Sequence, residues 1–117
     1  MTITNSNHNN TLQRPRHTKL SEPIMWQGIE ISITYKPNPY NLSRESIIAH
    51  FEIKVLSPKG AQIPITETGY RSHYLHPDCV EEFDSPIAYV RAWLDYEAKK
   101  PQWQTYLASM HQISLFE

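Results

Sequence analysis

One cysteine, three glycines and no apolar run near the roughly 18 residues of a membrane span set the first limits on this chain of 117 residues. A single thiol forbids an internal disulfide. The Asn-rich start carries no basic residues followed by an apolar stretch, so neither a secretory signal nor a membrane anchor is expected, and the cytoplasm is the expected location. Charge of one sign is missing too: 11 Lys and Arg face 12 Asp and Glu, which leaves no chain-wide field to attract nucleic acid. No basic stripe is interleaved with exposed aromatics, because the aromatic residues mostly fall on positions that periodicity assigns to a core. Direct nucleic-acid binding is therefore not expected. The length allows one modest domain.

Residues 1–23 are dominated by Asn, Thr, Ser and His, with too few apolar side chains to offset the entropy lost on ordering, and read as a disordered arm. From Trp26 the character changes. Trp26, Ile29, Ile31, Ile33 and Tyr35 are interleaved with Glu30, Ser32, Thr34 and Lys36, the period of a strand with one buried face. Pro37 and Pro39 end it. Ala49, Phe51, Ile53 and Val55 predict a second strand, and Ala61, Ile63 and Ile65 a third, which Pro64 restricts to a sheet edge.

Ser85-Pro86 predicts a helix start, with a hydroxyl acceptor at the cap and a proline where no donor is needed. Ile87, Val90, Trp93 and Leu94 form its apolar stripe. Arg91, Asp95 and Lys99, each four residues apart, read as a solvated face. Pro101 opens a second helix with Trp103, Tyr106, Leu107 and Met110 on one side. The expected fold class is α+β: a small three-stranded antiparallel sheet followed by two helices packed on one face, spanning residues 24–111, with residues 112–117 as an interaction peptide or packed tail.

Three constellations carry possible chemistry. Thr66 to Tyr74 is the densest polar stretch and reads as a loop; the favoured account is structural, with Gly69 in a turn, Arg71 in an ion pair with Glu67 or another acid and the tyrosines at the sheet margin, and the alternative is that Glu67 and His73 exchange a proton while Arg71 clamps an anion, with Tyr70, Arg71 and His73 the candidate anion or partner contacts. No nucleophile, paired base and oxyanion site occur together, so no enzyme is expected, and a small enzyme using Glu67, Arg71 and His73 is the last alternative. His73, His76 and Cys79 have zinc-compatible side chains at three-residue spacing but lack a fourth ligand, so neither a metal nor a cofactor is expected. Glu81, Glu82 and Asp84 precede the Ser85 cap, where negative charge suits the helix dipole.

Gln112-Ile113-Ser114-Leu115-Phe116 resembles the pentapeptide by which bacterial polymerases and repair proteins dock on the replication sliding clamp: Gln, aliphatic, Ser or Asp, Leu, Phe. The resemblance implies that Leu115 and Phe116 enter an apolar pocket, Gln112 hydrogen-bonds beside it, and Ser114 faces outward, with Ile113 in the aliphatic position. Alternatively, Ile113 and Phe116 continue the stripe of Trp103, Leu107 and Met110, and the tail packs on its own sheet.

The strand from Trp26 to Tyr35, the Ile63 to His73 segment with its Thr-Gly-Tyr-Arg-Ser-His run, and the helix from Ala88 to Asp95 resemble a group of small proteins of bacterial plasmids and integrative elements. That resemblance spans roughly residues 25 to 117 and implies a genomic context more than a biochemical act. Such elements often carry inhibitors of host defence. The leading expectation is a non-enzymatic interaction protein of a mobile element docking on the sliding clamp; the alternative is an inhibitor of a host CRISPR or restriction complex.

Overall fold

The computed structural model describes residues 17–115, with side chains described through residue 113. The expected arm lies mainly outside the described residues. Among the described residues four strands, not three, form one antiparallel sheet: β1 (Leu20–Trp26), β2 (Ile29–Lys36), β3 (Ala49–Ser57) and β4 (Tyr70–Leu75), neighbours in chain order. They are followed by the single turn α1 (Asp78–Glu81) and the helices α2 (Pro86–Ala98) and α3 (Pro101–Leu115).

The expected strand count fails at two places, each for a local reason. Gln27 and Gly28 both have positive φ, 48° and 80°, which is what a two-residue hairpin turn matched to strand twist demands. Trp26 therefore pairs with Ile29, and the apparent single strand folds back on itself. Residues 20–23, expected in the arm, belong to β1, where Pro23 sits on a sheet edge. The expected strand Ala61 to Ile65 is instead a loop closed by an isolated bridge between Ile63 and Thr66. Ile63 and Ile65 join the common core, and the loop meets α3 where the Gln62 N–H donates to the Tyr106 hydroxyl at 3.4 Å. The real partner of β3 is Tyr70–Leu75, with Phe51 opposite His73 and Ile53 opposite Arg71.

One face of the sheet is covered. Ile31, Ile33, Phe51 and Ile53 are fully buried from the strands, against Val90 and Leu94 of α2. Ser85 caps α2 in extended conformation, its Oγ accepting from the Ala88 N–H at 3.0 Å. Arg91 and Asp95, expected on a solvated stripe, instead reach the β1–β2 hairpin. The Arg91 guanidinium donates to the Met25 carbonyl at 3.1 Å, and Asp95 Oδ1 accepts from the Trp26 indole N–H at 2.9 Å. These charge-assisted bonds lock helix to hairpin.

The second helix is less committed. Trp103 is buried, with its ring centroid 5.8 Å from that of Trp26 and 5.0 Å from that of Tyr106. Beyond that anchor, Leu107, Met110 and Ile113 are exposed. Only the first turns of α3 pack as expected.

Candidate interaction surface

The stretch read as a polar loop is mostly β4, and strand alternation separates its side chains. Arg71 and His73 share the helix-covered face. The Arg71 guanidinium donates to the Ile65 carbonyl at 3.0 Å and lies 5.3 Å from the centroid of the Trp93 ring, while the His73 ring lies 4.4 Å from the same indole. Trp93, supplied by α2, therefore gathers both residues. Burial holds the His73 pKa below its ordinary value, with the Arg71 cation and then His50 acting in the same direction. Glu67 is exposed in the turn before Gly69, and among the described residues no ion pair joins it to Arg71 or His73. The expected grouping of acid, base and clamp does not assemble.

The zinc-compatible trio is also dispersed. His76 Nδ1 accepts from the Asp78 N–H at 3.1 Å, Cys79 is an exposed thiol, and His73 packs on Trp93. Among the described residues no three metal-binding side chains come together.

Tyr70 turns the other way, to the open face of the sheet, with Ser72 and Tyr74. Cross-strand register builds one row there: Lys36 opposite His50, and His50 opposite Tyr74. The His50 and Tyr74 rings stack at 4.3 Å, and Tyr40, from the loop after β2, stacks beyond Tyr74 at 6.2 Å with the two hydroxyls 2.8 Å apart. His50 Nε2 also lies 2.7 Å from Ser72 Oγ. Asn38 holds that loop through bonds to the Leu42 N–H and carbonyl, at 3.0 and 3.1 Å. The tyrosines of β4, expected at the sheet margin, lie on its open face, and the alternation of Tyr70, Ser72 and Tyr74 against Arg71, His73 and Leu75 is the signal that places them there.

At the C-terminus, Gln112 and Ile113 are exposed in the last turns of α3. Leu115 is helical in its backbone; its side chain and all of Phe116 lie outside the described residues. Ile113 does not return to the sheet: it is 49% exposed, on the same side as Met110.

A family model described as the KlcB third domain matches residues 20–103, from the start of β1 to the buried Trp103 of α3. Neither the curated proteins nor the solved structures contain a match.

Proposed function

The chain belongs to the KlcB third-domain family, and from that plasmid-associated setting we propose a non-enzymatic interaction module that docks on the bacterial replication sliding clamp through residues 112–116. The observation that carries this reading is the exposure of Gln112 and Ile113 on a helix end that leaves its own sheet. A segment already in solvent gives up no core contacts when it enters a partner's groove. The terminal turn is helical, whereas the docking peptide is extended, so binding requires that turn to open. The last four carbonyls of a helix have no partner within it, and terminal turns open at low cost.

Purified bacterial clamp titrated with the full chain, followed by calorimetry, tests the proposal. Roughly micromolar binding is expected, and Leu115→Ala with Phe116→Ala should remove it while leaving the circular dichroism melt unchanged. Undiminished binding by the double variant refutes the reading. Loss of clamp binding together with intact binding to a purified host CRISPR or restriction complex would favour the defence-inhibitor alternative.

A further inference from the structure

Independently of the C-terminal segment, we infer that the open face of the sheet is a binding platform for single-stranded nucleic acid, with bases stacking at the His50–Tyr74–Tyr40 ladder and phosphates held by Lys19, Lys36 and Lys54. This reverses the expectation from composition. A near-neutral chain has no global field, but the fold sorts its residues by face.

Four observations converge. First, the ring ladder is exposed: Tyr40 is 57% accessible and Tyr74 49%, while Tyr70, two rungs along β4, is 47% accessible. Tyr74 is stacked between His50 and Tyr40, so the ring faces left for a ligand are the outer face of Tyr40 and those of Tyr70, and unpaired bases stack on such faces with little sequence preference. Second, the ladder is held in place. The Tyr40–Tyr74 hydroxyl contact, the His50–Ser72 contact and the Asn38-braced loop fix the rings before any ligand arrives.

Third, the cations sit alongside it. Lys36 is the cross-strand neighbour of His50, and Lys19 precedes the Leu20–Tyr35 pair, which brings the two lysines side by side at the end of the β1–β2 ladder. Two lysines side by side on adjacent strands repel each other unless an anion lies between them. Lys54, opposite Tyr70, supplies a third charge on this face. Among the described residues, none of the three forms an ion pair.

Fourth, the two carboxylates of the face, Glu30 and Glu52, carry hydrogen bonds and stand outside the ladder row. Glu52 accepts from the Tyr70 hydroxyl and Glu30 from Ser57 Oγ, each at 3.4 Å, and neither lies in the row that carries Lys36 and the stacked rings. With strands about 4.8 Å apart, the row from Lys19 to Tyr74 extends roughly 15 Å. That length suits two or three unstacked nucleotides, the number that sheet-face readers hold. The major groove of an undistorted duplex admits a helix or a two-stranded ribbon, so a four-stranded face is better matched to an unpaired strand.

The test is fluorescence anisotropy of the full chain with a labelled oligothymidylate of about 12 nucleotides, at low and moderate salt. Binding should be at least tenfold tighter than to a duplex of equal length, and log K should fall with log salt at a slope of about −2, for three phosphate contacts. Tyr74→Ala should weaken binding roughly 5- to 100-fold, Tyr74→Phe should retain most of it, and Lys36→Gln should flatten the salt slope by about 0.7. Leu115→Ala with Phe116→Ala should leave it untouched, as should Tyr96→Ala on α2. No binding at low salt, equal affinity for duplex, or binding indifferent to Tyr74→Ala overturns the inference. Equal binding to anionic vesicles or to polyglutamate does so as well, since it would show attraction to any polyanion.

Discussion

Replacing Tyr35 by phenylalanine should leave the domain as stable as before or more so at neutral pH, and distinctly more resistant to alkali. The Tyr35 side chain is fully buried against Phe51, and among the described residues its hydroxyl has no hydrogen-bond partner. A buried hydroxyl without a partner has lost its water for nothing in return, so its removal is expected to contribute between 0 and about 1 kcal/mol of stability. For a domain of this size the upper figure corresponds to a rise in Tm of roughly 4 to 8 °C. The alkaline effect comes from linkage. Burial, and after it the Glu81 carboxylate, raise the Tyr35 pKa well above the ordinary tyrosine value. As pH climbs past about 10, the unfolded chain releases this proton while the folded chain keeps it, so stability falls with rising pH until the folded value is reached. At pH 11 the native chain should have lost about 1.4 kcal/mol that Tyr35→Phe retains. Tyr40 and Tyr89 are shifted in the same direction, but they are common to both proteins and cancel in the difference. Urea denaturation of both chains at pH 7 and pH 11 measures the two quantities. A loss above about 1 kcal/mol at pH 7, or parallel losses in alkali, would refute the reasoning.

Other expectations follow from the same contacts. Asp95→Ala removes the charged acceptor of the Trp26 indole and should cost about 1.5 to 3 kcal/mol in urea denaturation; in Trp26→Phe the same replacement should cost much less, because the donor is already gone. Ser85→Ala should cost about 1 kcal/mol through the lost cap of α2, with Ser85→Asp restoring it. Arg71→Gln should raise the His73 pKa towards the ordinary histidine value, followed by ring-proton NMR. Because the folded His73 pKa is depressed, its contribution to stability is complete above about pH 6.5 and is lost on acidification through the folded value, and Arg71→Gln should lessen that loss.

The parts of this fold that were legible in the sequence are those set by local chemistry. β2 and β3 show their two-residue alternation, and Ser85-Pro86 and Pro101 mark helix starts because capping and proline geometry act within a turn. The β1–β2 hairpin was hidden by a turn without Asn-Gly, yet a change of parity between Trp26 and Ile29 marks it: apolar residues at even positions give way to odd ones. Ile63 and Ile65 imitated a strand because a loop that sends alternate side chains into the core needs apolar residues at the same spacing as a strand does. β4 went unseen because both its faces carry polar or aromatic side chains, so no contrast reveals its period. The meeting of Arg71 and His73 on Trp93 depends on how α2 lies across the sheet, which no local pattern encodes. Likewise the solvation of Leu107, Met110 and Ile113 is a tertiary fact: the same stripe on a helix lying flat would have been core.

The two margins of the sheet are unequal, with a proline interrupting β1 at Pro23 and none in β4. Indefinite stacking of copies needs a permissive border on both sides of every subunit. Here only one side offers an uninterrupted line of donors, so edge-to-edge growth would close on itself at a pair of chains and could not propagate into a fibre.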